Sequence, residues 1–482
     1  MIRRRNVYIV LPMNAEMDVG TNKKAFQINL DGKRYGTFAE IGAGQEVARR
    51  FFHVGGASGT IAKTMSAYDM TFSDAIYGTA DRYVSRNRLD TMLDHEYSLL
   101  IERLDAKLGA NRLFFVFADT VAARSFKQHN EAHGWLGVRF QSDSRAEPSE
   151  IIIHVRMLDE ANVDQQEALG VIGVNLIYGA FYHREPERLI SSLQENLTPG
   201  RIEVDMIRFS GPAFPNVDNR LMSLQLVSQG LTDAVMFTAD GETVQPTDVL
   251  YKRTILVERG SFRPVTCATN DMLDGARQKF LKESGCEDTE PIVLMEMTLE
   301  NLLAEGRLNH ADFLARVDIL GALGRTVIIS KFGEYYRLAA YLSRYTHRLV
   351  GLVMGVPSLM EIFDEKYYLN LEGGILEALG RMFKGALKLY VYPMVTEEGD
   401  LLTATQLKVA PNLQSLFRYL IDNEYIAEIT DYHPEYLKIF PPDALAKLQT
   451  GDATWEKMVP PEVAQMIKQR AFFGYLQSSA AA

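Results

Sequence analysis

The chain of 482 residues has only two cysteines, Cys267 and Cys286. Two thiols cannot build a disulfide framework or a four-thiolate zinc site, and so low a count suits a reducing compartment. Long apolar runs are missing too. Nothing approaches the roughly 18 consecutive apolar residues that span a bilayer. The stretch Val7–Leu11 ends at Pro12, which makes it too short for a signal-peptide core. Polar and apolar residues alternate too sparsely for an outer-membrane barrel. Basic blocks are also scarce: none exceeds Arg3-Arg4-Arg5, and the formal net charge is −11. Gripping a nucleic-acid backbone needs basic surface, so a nucleic-acid partner held by general electrostatics is not expected. There is no fixed-period repeat and no low-complexity tract. The expectation is a cytoplasmic protein with no membrane partner.

What is present is ordinary globular material, 47% hydrophobic and 23% charged, enough for two or three domains. The most informative stretch is 292–392. Four short apolar runs, Ile292–Met297, Thr326–Ser330, Leu349–Met354 and Leu387–Tyr392, alternate with segments of helical apolar spacing. That alternation predicts βαβ units and a parallel sheet, hence an α/β fold. Upstream, residues 7–11 read as a strand, and 26–40 as a hairpin turning at Asp31-Gly32. Helical patterns follow at 43–53, 58–68 and 81–107. Strands are expected at 113–118, 135–141, 151–157, 202–209, 234–238 and 252–258, with a buried helix at 162–182. The expected organisation is a mixed α/β domain at 1–265, a linker at 266–290, a Rossmann-like domain at 291–395, and a small winged-helix-like module at 396–482.

Several constellations carry candidate chemistry. Gly55-Gly56-Ala57-Ser58-Gly59-Thr60, followed by Lys63, reads as a glycine-rich turn into a helix. Such a turn brings amides close to a phosphate, although it also serves simply to pack helices. Ser330-Lys331-Phe332-Gly333 ends a predicted parallel strand, the place where open α/β sheets collect ligands. Arg220, Arg259 and Arg263 are candidate cations for a phosphorylated substrate. Asp119 and Asp205, on predicted strands, are candidate magnesium ligands or general bases. His129 and His133 share a helix face if that segment is helical, but the Glu that a zincin places directly after its first His is missing.

Long phrases carry a resemblance over most of the chain. They include Glu40-Ile-Gly-Ala-Gly-Gln-Glu-Val47, Val54-Gly-Gly-Ala-Ser-Gly-Thr-Ile-Ala-Lys63, Asp218-Asn-Arg-Leu-Met-Ser-Leu-Gln225, Val257-Glu-Arg-Gly-Ser-Phe-Arg-Pro264 and Trp455-Glu-Lys-Met-Val-Pro460. The chain resembles a bacterial family that often bears the label nicotinate- or nicotinamide-nucleotide adenylyltransferase, and sometimes TonB-dependent receptor. The resemblance implies nucleotides as ligands. It carries over no functional residue, because the chain has neither the Gly-x-Phe-x-Pro-x-His-x-Gly-His nor the Ser-x-Thr-x-x-Arg motif of adenylyltransferases.

Two functions follow as expectations. One is an enzyme that binds a nucleotide or other phosphorylated metabolite and performs nucleotidyl or group transfer with magnesium, as a homo-oligomer. The other is a non-catalytic protein that self-associates through apolar helices.

Overall fold

The computed structural model describes residues 20–124, 131–283, 290–304 and 306–475. They fall into two compact units, one ending at Val217 and the other beginning at Asp218, except that Asp205–Ile207 group with the second. The division therefore lies well before the expected boundary at residue 265.

The first unit is built on six strands: β1 (Arg34–Gly42), β2 (Ile61–Ala67), β3 (Leu113–Ala122), β4 (Ala132–Phe140), β5 (Ser149–Met157) and β6 (Ile202–Ser210). Their order is β2-β1-β3-β4-β5-β6. The first three are parallel, and β3, β4 and β5 pair antiparallel. β3 is central because its run Phe114-Phe115-Val116-Phe117 is apolar on both faces, and all four residues are fully buried. Helices α1 (Thr21–Leu30), α2 (Val47–His53), α3 (Arg86–Leu108) and α4 (Asn162–Tyr182) cover the sheet. α4 is the buried helix expected from its nearly unbroken apolar run.

Two local expectations fail here. The segment expected as a hairpin is α1 followed by β1. Lys24, Ala25, Ile28 and Asn29 are buried at helical spacing. The helix expected at 58–68 is the edge strand β2. Among the described residues β1 is its one neighbour, and only Ala67 of its seven residues is buried, so no two-residue alternation marks it as a strand. The strand expected at 7–11 lies outside the described residues.

The second unit holds an eight-stranded sheet: β7 (Ala234–Phe237), β8 (Thr243–Val244), β9 (Ile255–Arg259), β10 (Ile292–Thr298), β11 (Thr326–Ser330), β12 (Val350–Gly355), β13 (Leu387–Tyr392) and, after the small hairpin β14 (Met394–Val395) and β15 (Leu401–Leu402), β16 (Ile426–Glu428). The order is β16-β13-β12-β9-β10-β11-β7-β8. The six strands from β16 to β11 run parallel, and β7 and β8 complete the sheet antiparallel. Counted along the chain, the parallel strands stand in the order 3-2-1-4-5-6 of doubly wound dinucleotide-binding sheets. The protein is thus α/β, and the four apolar runs are parallel neighbours or near neighbours, as their pattern required.

Helices lie on both faces. α5 (Asn219–Ser228), α6 (Cys267–Phe280), α7 (His310–Ala322), α8 (Tyr335–Leu342), α9 (Val356–Ile362), α10 (Gly374–Met382) and α11 (Gln414–Asp422) are the main ones. One core joins Leu338, Leu359, Leu379 and Phe417 from α8 to α11 with Val257, Leu352 and Leu389 of the strands. On the other side, Phe280 of α6 packs against Tyr390 at 6.0 Å and Phe313 of α7 against Phe237 at 6.3 Å. The charged helix expected within the 266–290 linker is present as α6, but with six buried residues it is packed into this unit and does not act as a linker. The expected module at 396–482 is likewise part of this unit. β16 pairs with β13, and Leu413, Phe417 and Leu420 enter the common core.

Candidate functional site

The glycine turn of the first unit is a corner. Gly55 and Gly56 take φ of 79° and 78°, which a Cβ would disfavour. They are followed by a single 3₁₀ turn, Ala57–Gly59, and then β2, so no helix N-terminus faces outward. The side chain of Asn29 donates to the carbonyls of Phe51 and Gly55, both at 2.8 Å. The hydroxyl of Thr60 donates to the carbonyl of Asn29 at 3.2 Å, and Ser58 is exposed. Lys63 pairs with the buried Glu96, which also accepts from the Tyr77 hydroxyl at 2.8 Å. These bonds fasten α1 to the turn.

The two candidate carboxylates are not partners. Asp119 on β3 and Asp205 on β6 are both buried, but their strands stand three positions apart, about 14 Å at ~4.8 Å per strand. No single magnesium ion spans that. Asp119 faces Glu40 in the register of β1 and β3. Glu40 accepts from the amides of Val47 at 2.8 Å and Ala48 at 3.2 Å, which fixes the start of α2. Gly44 lies so close that an added Cβ would stand 1.9 Å from Asp119 Oδ1. Burial pushes the Glu40 carboxyl up to about 7, and burial together with Glu40 raises Asp119 well above the usual carboxylate range. His133 lies on β4, with Nδ1 3.1 Å from Nε2 of His154 on β5, and His129 is outside the described residues. Among the described residues, no group of three or more His, Cys, Asp or Glu is arranged to hold a metal.

The three candidate arginines are engaged by carboxylates. Arg220 meets Asp218 at 2.7 Å and Asp318 at 2.5 Å, and Arg263 meets Asp312 at 2.5 Å. Arg259 grips Glu296 at 2.8 and 3.0 Å, donates to the Gly333 carbonyl at 2.7 Å, and lies 4.3 Å from the Tyr335 ring centroid. Ser330 is fully buried and donates to Glu296 at 2.6 Å. Ser330 and Gly333 thus serve the Arg259–Glu296 pair, and that network ties together the carboxyl ends of β9, β10 and β11.

Lys331 has a different setting. It is half-exposed, pairs with Asp233 at 2.7 Å, and lines a cleft of about 1030 Å³ bordered by α8 and α10. Arg337, Arg344, Arg348, Arg381 and Lys384 line the same cleft with His347, and Asp233 is the one carboxylate among the described lining residues. Arg337 and Arg381 pair with Glu334 at 2.9 Å and Glu377 at 2.6 Å. Such exposed pairs are worth about 0–1 kcal/mol and exchange readily for a better anion. Arg344, Arg348 and Lys384 have no carboxylate partner among the described residues. Cations are favoured just beyond helix C-termini, yet three uncompensated ones in one cleft exceed what ending α8 and α10 requires. The cleft reaches Val350 and Leu387, the first residues of β12 and β13, so it runs along the sheet's amino edge as well as beside Lys331. The sequence signal for it is the density of cations, with Lys331, Arg337, Arg344 and Arg348 inside the span 331–348.

No protein-family model matches the chain, and no curated protein does. Among solved structures, the competence/damage inducible protein CihA from Agrobacterium tumefaciens is similar over 33% of this chain and 96% of its own, at 16% identity and a TM-score of 0.25. A competence or damage-inducible protein from Enterobacter asburiae gives 12% identity and 0.26 over 33% and 95%. A CinA superfamily protein from Klebsiella pneumoniae gives 10% identity and 0.26 over 34% and 96%. Likeness at this level carries no argument about chemistry.

Proposed function

We propose that the second unit binds a phosphorylated small molecule in the cleft bordered by α8 and α10. One observation carries this reading: six cations and a histidine face one concave space in a chain of net charge −11. Ligand pockets commonly measure about 300–1,000 Å³, so the space admits a nucleotide or a dinucleotide. Nucleotides are the first class to test, because the family resemblance points to them. Nucleotidyl or group transfer is the reaction class such a ligand suggests, and its magnesium would arrive on the phosphates.

The test is calorimetric titration with ADP, a dinucleotide and pyrophosphate, each with and without magnesium, on the parent and on Arg344→Glu/Arg348→Glu. The parent should bind one of them with an affinity that falls as salt rises. The double variant should lose about a hundredfold or more at an unchanged melting temperature, since each charged hydrogen bond contributes about 1.5–3 kcal/mol. A parent that binds none of the probes overturns the reading.

A second reading is self-association through the first unit. Tyr68, Met70 and Phe72 are 80%, 60% and 60% exposed just beyond the open edge strand β2. Exposed apolar groups beside an edge that is unpaired among the described residues favour contact with another chain. Light scattering on the parent and on Tyr68→Asp/Phe72→Asp tests it, and a monomeric parent rejects it.

A further inference from the structure

The carboxyl edge of the second sheet holds a constellation that the phosphate cleft does not use. Tyr392 is the last residue of β13, Asp271 lies in the N-terminal half of α6, and His433 follows β16. Asp271 is buried and accepts three hydrogen bonds: from the Tyr392 hydroxyl at 2.6 Å, from the His433 amide at 2.9 Å, and from His433 Nδ1 at 2.5 Å. The carboxylate therefore holds both the backbone and the ring of one histidine. The His433 side chain is 65% exposed, and its Nε2 has no partner among the described residues. One ring nitrogen of this histidine is held and the other faces solvent. The ring is oriented by an inward-facing carboxylate and turned outward, which is how a general base is presented.

Position supports the same conclusion. In the strand order 3-2-1-4-5-6, direction reverses between β9 and β12, and ligands of open α/β sheets sit beyond the carboxyl ends near that point. β13 is the next strand to β12, and α6 is the helix that follows β9. The phosphate cleft touches the first residues of β12 and β13, whereas Tyr392 ends β13, about 17 Å away along a six-residue strand. The two places are therefore separate.

Charge narrows the substrate. Asp431 and Glu435 act electrostatically on His433, and Glu462 acts on Cys267, which stands one helical turn before Asp271. The Tyr436 ring lies 5.3 Å from the imidazole. Carboxylates and a ring face repel anions and accept neutral or cationic groups. Burial and the neighbouring Glu462 and Asp271 push the Cys267 thiol up, which disfavours a resting thiolate, and water is taken as the nucleophile.

We propose that His433, positioned by Asp271 and Tyr392, is the general base of a hydrolytic site for uncharged or cationic acyl esters. His433 Nε2 takes a proton from water as the water oxygen bonds to the acyl carbon. The tetrahedral adduct then collapses, the carbon–oxygen bond to the alcohol breaks, and the imidazolium returns its proton to the leaving oxygen. Ester and water become acid and alcohol, with no co-reactant.

The test compares full-length parent, His433→Ala, His433→Gln and Asp271→Asn on p-nitrophenyl acetate, acetylthiocholine and the anionic p-nitrophenyl hemisuccinate. Melting curves are recorded alongside. The parent should hydrolyse the first two faster than an equal concentration of imidazole, and the hemisuccinate more slowly. Its rate should rise with pH as His433 loses its proton. Both His433 variants, exposed at the surface and folded normally, should lose a hundredfold or more in kcat, with KM little changed. Asp271→Asn should lower kcat and shift the pH midpoint downward. Parent rates at or below imidazole, or His433 variants as fast as the parent, overturn the proposal.

Discussion

Glu40 and Asp119 sit side by side in the register of two parallel strands, two carboxyls inside one sheet. Both oxygens of Asp119 are buried, and the Ile41 amide beside them offsets only a little of what burial and Glu40 do to its ionisation. Two neighbouring carboxyls in a dry interior cannot both ionise cheaply, so they hold a proton that the unfolded chain would release.

Stability of the first unit should therefore fall as pH rises. A carboxyl whose folded pKa lies above its unfolded value binds its proton more tightly when folded. For Glu40 that support is fully present below about 4.5 and is lost as pH rises through about 7. The loss is on the order of 3 kcal/mol. Asp119, raised as well, extends the effect upward. Urea melts between pH 5 and 8 measure it, and Asp119→Asn should flatten the slope and stabilise the unit at pH 8. A parent whose stability climbs between pH 5 and 7 contradicts the pairing.

Gly44→Ala probes the loop that closes over this pair. The new methyl would stand 1.9 Å from Asp119 Oδ1, and the loop must shift to admit it. The expected cost is about 1–3 kcal/mol. Denaturant unfolding reads it, and Gly44→Ala/Asp119→Ser should recover part of the loss by making room.

Glu296 is fully buried and Arg259 nearly so. Glu296→Ala would leave a buried guanidinium with no carboxylate and strip Ser330 of its acceptor. Breaking such a pair from one side costs about 3–5 kcal/mol. Glu296→Gln, which keeps one acceptor, should cost less, and calorimetric unfolding ranks the two. Equal stability of Glu296→Ala and the parent would show that the network contributes nothing.

Phe417→Ala tests whether the C-terminal segment belongs to the sheet's core. Phe417 packs 4.9 Å from Phe363 and is 6% exposed. Loss of a buried phenylalanine costs about 3–5 kcal/mol. The loss should lower the melting temperature of the whole second unit in one transition. Two separate transitions, with only the smaller one shifted, would restore an independent module.

The sequence announces what is local. Residues 326–330 and 387–392 are apolar because helices cover both faces of their strands, and they read as strands at once. β2 is hard to read because Ile61-Ala-Lys-Thr-Met-Ser-Ala67 carries no continuous buried face. β16 is not legible as part of the sheet because only pairing with a strand more than thirty residues earlier gives Ile426–Glu428 a place. The arginines misled for the same reason. Arg259 and Arg220 look available until Glu296 and Asp318 are brought to them by the fold. The cleft and the Asp271–His433 pair draw on residues 233–387 and 271–433, and no short window along the chain contains either.

The strand order has a consequence for biosynthesis. β9 leaves the ribosome first among the six parallel strands and ends in the middle of the sheet, with its two neighbours encoded at 292–298 and 350–355. Until both have emerged, the apolar run Ile255-Leu-Val257 lacks at least one of the two strands it lies between. Assembly then grows outward in both directions and ends with β16 at residue 428. Parallel pairings of this separation form slowly, and chains in this state expose sticky strand edges. Nascent chains halted between residues 300 and 420 are accordingly where chaperone dependence and aggregation should peak.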